Sequence, residues 1–543
     1  MRSLARRLVL VLAIGLAAPA AAREGPVVAA PAGAMRGADE AGLRVFRGIP
    51  YALPPVGERR WRAPAAMPPW QGVRDATRFG ASCVQPDYPA GIYADDVGPT
   101  SEDCLTLNIW TPEHADGAPV FVWIHGGALS AGASSEPIYD GAALARRGLV
   151  VVSINYRLGV LGYLAHAEVS AESERGVSGN YGLLDQIEAL RWIQRNIEAF
   201  GGDASNVTIA GESAGALSVM YLMASPLARG LFHKAVAQSA YMISTPELRS
   251  ARHAGASAEQ AGAQLAQALG ARGVAELRAM SARELVDRAA AAGYAPFGTV
   301  DGHVLPGQLV DVFARGEQAP VPMLAGFNEG EIRSLTFLLP PAPDSPGAYE
   351  SAIRERYGDL APEFLRLYPS ADVRESMLAT TRDALYGWTA QRLVMEQQRR
   401  GAPSYLYLFD HGYEAADAAG LHAFHGAELP YIFGSLDRTP QFWPAIPRTG
   451  REARLSSIML DYWASFAADA RPRAEGAPDW PAHGEARAFI RFADAEARAE
   501  THLMPGMFEL HEEAVCRRKA AGEAWNWNVG VISPAIGARE RCA

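Results

Sequence analysis

The chain lacks most of the features that would mark a nucleic-acid-binding, metal-dependent or membrane-embedded protein. It has four cysteines among 543 residues and a net charge of −10, so it offers no basic surface of the kind that nucleic acid requires. It contains no cysteine and histidine set with metal-ligand spacing and no glycine-rich phosphate loop. The sequence therefore predicts no metal, no cofactor and no nucleic-acid partner.

Long hydrophobic runs are also missing. The apolar stretch 8–18 has about half of the ~20 residues that a membrane-spanning helix needs. It follows three arginines and precedes Ala20–Ala22, which is the pattern of a secretory signal peptide. We expect a signal peptide over 1–22, no stable membrane anchor, and a mature domain over 23–543 that is secreted or periplasmic.

Export to an oxidising compartment makes the few cysteines interpretable. Four cysteines allow three pairings, and the sequence alone does not choose among them. We predict the pairs Cys83–Cys104 and Cys516–Cys542, which would close two local loops. In the alternative, the C-terminal pair stays reduced.

Short β-branched runs alternate with longer helical patterns from about residue 118 onward, which is typical of an α/β fold with a mainly parallel sheet covered on both faces. The predicted helices are 183–200 and 259–269, and residues 256–293 resemble surface helices inserted over the sheet. The predicted strands are Val120–Ile124, Leu149–Ile154, Val207–Ala210, Val321–Ala325 and Tyr405–Phe409.

One pentapeptide contains a candidate catalytic nucleophile. Gly211-Glu212-Ser213-Ala214-Gly215 lies between the apolar run ending at Ala210 and a segment that can form a helix. A Gly-x-Ser-x-Gly sequence in that context is a nucleophile elbow, in which a tight turn exposes the serine hydroxyl. The following helix points N–H groups at the place where negative charge would develop.

A serine nucleophile needs an oxyanion hole, a base and an acid, in the chain order serine, acid, histidine. We expect the N–H groups of Gly127, Ala128 and Ala214 to form the hole, since His125-Gly126-Gly127-Ala128 follows a predicted strand. Two residues compete for each remaining role, and the pattern alone does not separate them. The acid candidates are Glu329 and Glu331, and the base candidates are His422 and His425.

Four segments together resemble the type-B carboxylesterases, the family that includes the cholinesterases and bacterial para-nitrobenzyl esterases. The resemblance covers nearly the whole mature chain. The segments are Phe46–Gly57, Ser101–Trp110, Phe200–Asp203 leading into Gly211–Gly215, and His425–Gly434.

The resemblance implies an α/β-hydrolase fold with helical insertions over the active site, and it resolves both ambiguities. The family glutamate falls on Glu331 and the family histidine on His425. It also implies a disulfide loop closed by Cys104, and it places Glu212 and Ser239 beside the triad. Structural ion pairs are expected between Arg60 and Glu102 and between Arg157 and Asp185.

The chain departs from the cholinesterase pattern at two places. The segment between Cys83 and Cys104 contains Tyr88 and Tyr93 but lacks the tryptophan whose ring attracts a quaternary ammonium. Choline esters are therefore not the expected substrate. Ala128 stands where many relatives have a third glycine, and we expect little consequence.

These observations predict an exported hydrolase of a small-molecule ester, acting through Ser213, His425 and Glu331, with activity lost below roughly pH 6–7, where an ordinary histidine becomes protonated. One alternative is amide, carbamate or lactone cleavage on the same triad. The other is a non-catalytic binding protein. The sequence leaves both a monomer and a homodimer open.

Overall fold

The computed structural model describes residues 25–87, 91–253 and 255–537. The signal peptide predicted over 1–22, Tyr88 and Cys542 lie outside the described residues. The strands in chain order are β1 (Val27–Ala30), β2 (Gly33–Arg36), β3 (Ala38–Glu40), β4 (Leu43–Pro50), β5 (Val73–Asp75), β6 (Ser82–Cys83), β7 (Thr100–Ser101), β8 (Thr106–Pro112), β9 (Ala118–Ile124), β10 (Val150–Ile154), β11 (Gly202–Glu212), β12 (Lys234–Gln238), β13 (Met323–Asn328), β14 (Ser404–Asp410), β15 (Ala488–Ala493) and β16 (Glu496–Thr501).

The α-helices follow most of these strands and connect them. A short π-helical segment, Asp383–Gly387, lies between the twelfth and the thirteenth helix. In chain order the helices are α1 (Ala142–Ala145), α2 (Gly159–Tyr163), α3 (Ala167–Glu172), α4 (Tyr181–Asn196), α5 (Ala214–Ala224), α6 (Ala258–Ala268), α7 (Val274–Ala279), α8 (Ala282–Ala291), α9 (Leu309–Ala314), α10 (Pro346–Tyr357), α11 (Ala361–Leu367), α12 (Val373–Arg382), α13 (Trp388–Arg399), α14 (Glu414–Ala418), α15 (Leu429–Phe433), α16 (Gly450–Asp469) and α17 (Met507–Ala521).

An 11-stranded sheet forms the centre, in the order β16-β15-β14-β13-β12-β11-β9-β10-β8-β4-β3. The strands from β15 to β10 along this order run parallel, and both margins of the sheet are antiparallel. Because parallel strands end at the same edge, the residues that follow β9, β11, β12, β13 and β14 come together there. The predicted mainly parallel sheet is confirmed.

Both faces of the sheet are buried. In β9, Val120, Val122 and Ile124 belong to one apolar cluster, whereas Phe121 and Trp123 belong to the other. The alternation follows from the two-residue period of a strand. Helices α4, α5 and α13 cover the first face and helix α16 covers the second, as the membership of the same clusters shows. The layered α/β architecture therefore agrees with the prediction.

The predicted elements agree closely where the sequence is apolar and β-branched. Strands β9, β10 and β14 differ from prediction by two residues or fewer at each end, and α6 begins and ends within one residue of its prediction. Strand β13 begins at Met323 rather than Val321, since Pro322 has no N–H to donate to a sheet. The helices of 256–293 pack on Trp61 and on the segment 160–169, forming a small core of their own.

The two expected ion pairs form. Arg157 and Asp185 meet at 2.7 Å and are almost fully buried, and Arg60 meets Glu102 at 2.7 Å. The predicted Cys83–Cys104 disulfide is present. The Cys516–Cys542 pair stays a prediction, because Cys542 lies outside the described residues. Within the described ranges, none of the helices combines the length and apolar character needed to cross a membrane.

Candidate active site

Ser213 lies at the tight turn between β11 and α5. Its backbone has φ 55° and ψ −120°, a conformation that costs a non-glycine residue free energy and persists only where neighbours enforce it. The Ser213 N–H donates to Gln238 O at 2.9 Å. A Cβ on Gly211 would lie 2.5 Å from the Gly215 carbonyl carbon, and one on Gly215 would lie 2.1 Å from Ile124 O. The two glycines of the motif are therefore required by close backbone contact.

The loop after β9 lies beside this turn. Ile124 pairs with Gly211 in the sheet, so the residues that follow Ile124 come alongside Ser213. Gly127, Ala128 and Leu129 all have positive φ, at 96°, 54° and 57°. Within the described part of the chain, the N–H groups of Gly127 and Ala128 make no hydrogen bond. Ala214 begins α5, and its N–H has no partner inside the helix. All three N–H groups are thus without a hydrogen-bond partner in the described part of the chain.

The acid and base candidates reach the same edge from the next two strands. Glu331 follows β13 and is fully buried, and His425 lies in the long connection after β14. His425 Nδ1 is hydrogen-bonded to Glu331 Oε2. Asn328 N donates to the other Glu331 oxygen at 2.9 Å. The Glu331 carboxylate thus binds the Nδ1 edge of the imidazole, and the backbone N–H of Asn328 fixes that carboxylate in turn.

The second nitrogen of His425 faces Glu212. Nε2 lies 3.1 Å from Glu212 Oε1, and in the described structure no hydrogen bond joins Nε2 to Ser213. Burial lowers the pKa of His425, but the charges of Glu212 and Glu331 outweigh burial and raise the pKa to about 9. Burial raises the pKa of Glu212 to about 8, against the opposing effect of His425. The pair therefore titrates as a unit that shares a proton into the neutral range.

A third carboxylate, Glu428, lies beneath this pair and is fully buried. It accepts from Gln238 Nε2 at 2.8 Å and from Asn328 Nδ2 at 2.6 Å. Trp463 Nε1 donates to Gln238 Oε1 at 3.0 Å. Burial raises the pKa of Glu428. This network links β12 and β13 to the segment that carries His425.

The competing acid and base candidates lie outside this arrangement. Glu329 is held by Arg382 at 2.7 Å. His422 contacts Asp410 at 3.0 Å and Asp417 at 2.8 Å, and its hydrogen bond to Asp410 is the main cause that raises its pKa to about 9. The structure brings Glu331 and His425 together, whereas Glu329 and His422 belong to a separate group of charged side chains.

Glu329, Asp410 and His422 present ligand-type atoms within 4.8 Å of one another. A cation there would compete with charges that are already paired. Arg382 binds Glu329, and Arg491 donates to Asp410 at 2.7 Å. We therefore interpret this group as an ion-pair cluster and assign no metal to it.

The remaining expected neighbour, Ser239, follows β12 and is fully buried with φ 50°. Its N–H donates to Gly326 O at 2.8 Å. Ser239 Oγ has no hydrogen-bond partner in the described structure. The backbone of Ser239 therefore fixes the strand end that receives the Ser213 N–H.

Two aromatic neighbours of His425 were not assigned from the sequence. Tyr386, in the π-helical segment, has its ring 5.5 Å from that of His425. Tyr93 donates to the His425 carbonyl at 2.8 Å. Both contacts join residues far apart in the chain, so no local pattern predicts them. Glu428 lay within the recognised histidine segment, but nothing in the sequence marked it as buried.

This arrangement is that of an α/β-hydrolase with a serine at its elbow. The model of the carboxylesterase family matches residues 24–505. The chain belongs to the carboxylesterase family and is a carboxylic ester hydrolase.

Similar proteins support this placement. The chain is 36% identical over 462 residues to fumonisin B1 esterase of Sphingopyxis macrogoltabida, covering 83% of each chain. It is 34% identical over 487 residues to para-nitrobenzyl esterase of Bacillus subtilis, covering 87% of this chain and 96% of the relative. A solved PNB esterase structure matches with TM-score 0.77 and 33% identity, covering 89% of this chain and 99% of the other.

The steric requirement at the elbow can be tested by Gly215→Ala. The added methyl group would lie 2.1 Å from Ile124 O, a backbone atom of β9, so the backbone itself would have to shift. We expect a loss of about 3 kcal/mol of stability in urea unfolding, at the upper end for overpacking. Gly347→Ala is the control, since a Cβ there meets nothing within 4 Å. Equal stability of the two variants would contradict the steric explanation.

Proposed function

We propose that the chain is an exported serine esterase in which Ser213 is the nucleophile, His425 the base and Glu331 the acid. The observation that carries the proposal is the buried His425–Glu331 pair beside the strained turn of Ser213. His425 would remove the Ser213 proton as the oxygen attacks an ester carbonyl. It would then return that proton to the leaving alcohol. Water would cleave the acyl-enzyme by the same route.

The remaining residues support this cycle. Glu331 would fix the imidazole tautomer and stabilise the imidazolium. The free N–H groups of Gly127, Ala128 and Ala214 would stabilise the tetrahedral oxyanion, each worth about 3–4 kcal/mol in such sites. Nε2 of His425 faces Glu212 in this structure. Hydrogen bonds to the nucleophile commonly tighten only once substrate is bound, so the proposal requires Nε2 of His425 and Ser213 Oγ to come within hydrogen-bond distance in the complex with substrate.

The natural substrate is a small-molecule ester. Relatives of similar identity are named for different substrates, including fumonisin B1 and para-nitrobenzyl esters. We infer the reaction class for this chain and not the particular ester. The same triad would also serve amide, carbamate or lactone cleavage, since it does not specify the leaving group.

The nucleophile is tested with short-chain p-nitrophenyl esters and the variant Ser213→Ala. We expect kcat/KM to fall by at least ~10⁴-fold, as in serine hydrolases that lose the nucleophile. Ser205→Ala is the control, because Ser205 lies exposed on the same strand. Retained activity in Ser213→Ala would refute the assignment.

Matched amide, carbamate and lactone probes decide which leaving group the chain accepts. Failure of the native chain to react with a fluorophosphonate would favour the binding-protein alternative.

The pH dependence tests the environment of His425. Because Glu212 raises the pKa of His425, the acidic limb of kcat/KM should lie above the position expected for an ordinary histidine. Glu212→Gln removes that negative charge, so the limb should move to lower pH by ~1 unit. Glu174→Gln, at an exposed position, should leave it unchanged. A limb that stays in place in Glu212→Gln would show that the charge of Glu212 does not raise the pKa of His425.

The proposed export is tested on protein recovered outside the cytoplasm. We expect its N-terminus near Arg23 and, on non-reducing peptide mapping, a Cys516–Cys542 link beside Cys83–Cys104. A chain that keeps Met1 and remains in the cytoplasm would refute export. A link between Cys83 and Cys516 would refute the pairing.

A further inference from the structure

Tyr93 joins the segment of the proposed base to the segment of the proposed acid. Its hydroxyl oxygen lies 2.8 Å from His425 O and 2.7 Å from Ser334 Oγ. A phenol has one proton and a carbonyl oxygen can only accept. Tyr93 therefore donates to one of these two acceptors at a time, His425 O or Ser334 Oγ. Ser334 Oγ in turn donates to Glu331 O at 3.4 Å. Ser334 ends the short turn that begins with Glu331, so one hydroxyl connects both segments.

The Tyr93 ring is packed as well as hydrogen-bonded. Its centroid lies 6.0 Å from Trp443 and 6.4 Å from His425, in both cases edge to face. Phe424 lies 6.5 Å away. Such contacts are the favoured geometry of aromatic pairs. They fix the ring although 40% of the residue is exposed.

Tyr93 belongs to the loop that the Cys83–Cys104 disulfide closes. Both cysteines are buried, so the disulfide anchors the loop in the core. Near its start, Gln85 exchanges two hydrogen bonds with the Gly132 backbone, at 2.9 and 3.1 Å, just beyond the loop of Gly127 and Ala128. The disulfide loop therefore contacts both the acid and base segments and the oxyanion side of the site.

We propose that Tyr93 is a positioning residue through which the disulfide loop holds His425 in place. This inference rests on the proposed function of His425. Tyr93 contacts the backbone of His425 and not its imidazole nitrogens, and burial raises the pKa of Tyr93 far above its usual range, so its hydroxyl stays neutral. It therefore acts on where the imidazole lies and leaves its protonation unchanged.

This distinction gives Tyr93→Phe a specific signature on p-nitrophenyl butyrate. The ring stays and the hydroxyl is lost, so kcat should fall by ~5-fold, the scale of one neutral hydrogen bond. KM should stay within about twofold and the acidic limb should keep its pH. The neighbouring Glu212→Gln would instead move that limb.

Tyr413→Phe is the matched control, since Tyr413 also donates to a backbone carbonyl, Pro444 O, at 2.9 Å. It should leave kcat unchanged while losing the same kind of bond. Equal kcat in Tyr93→Phe and in the native chain would overturn the proposal, as would equal losses in both tyrosine variants. Ser213→Ala in the same assay distinguishes failure of the proposed triad from failure of the Tyr93 proposal. Residual activity in Ser213→Ala would refute the triad, whereas unchanged kcat in Tyr93→Phe would refute the role of Tyr93.

The disulfide is tested with a double variant, Cys83→Ala with Cys104→Ala. If it acts through Tyr93, kcat should fall by a similar ~5-fold, and adding Tyr93→Phe should cost nothing further. Losses that multiply would overturn the link. Circular dichroism and thermal unfolding establish that each variant is folded. Where the cysteine variant does not fold, phosphine reduction of the folded native chain takes its place, with the same expectations.

Discussion

The geometry of the candidate site depends on a contact between backbone atoms. Helix α5 begins so close to the end of β9 that a side chain on Gly215 would overlap Ile124 O. This approach forces Ser213 into its strained conformation. It also brings the loop of Gly127 and Ala128 beside the serine. Since the strands are parallel, the turns after β12 and β13 lie at the same edge of the sheet. The position of the acid candidate, Glu331, near Ser213 therefore follows from the strand order.

The second constraint is electrostatic. Glu212, Glu331 and Glu428 are buried around one imidazole, and burying three carboxylates without compensation would cost several kcal/mol each. The structure offsets that cost in different ways. Glu331 accepts from Asn328 N and pairs with His425, whereas Glu212 lies 3.1 Å from Nε2 of the same imidazole, so that Glu212 and His425 titrate as a unit that shares a proton into the neutral range. The site thus carries less negative charge at neutral pH than its composition suggests.

The predictability of each element follows from where its determinants lie. Strands such as β9 and β10 were predictable because a buried parallel strand is a continuous apolar run. Strand β12, Lys234–Gln238, was missed because it is short, begins with lysine and contains two alanines. Ser213 stood out through its glycine-flanked segment. The choices of Glu331 over Glu329 and of His425 over His422 needed the family resemblance, because the sequence places each competing pair within four residues. The contacts of Tyr93 and Tyr386 with His425 were unpredictable, since they join loops distant in the chain.

The difference between sheet segments and distant loops also explains why the reaction class can be assigned and the particular ester cannot. The sheet and its glycine turns place Ser213, His425 and Glu331, which we propose as nucleophile, base and acid, and the segments of Ser213 and His425 carry the family resemblance. The groups that approach His425 from outside the sheet, such as Tyr93 and Tyr386, come from a disulfide loop and a π-helical segment. Relatives at 36% and 34% identity are named for different substrates, so a shared sheet does not determine the ester. Tyr93 shows that one loop outside the sheet also reaches the backbone of the proposed base.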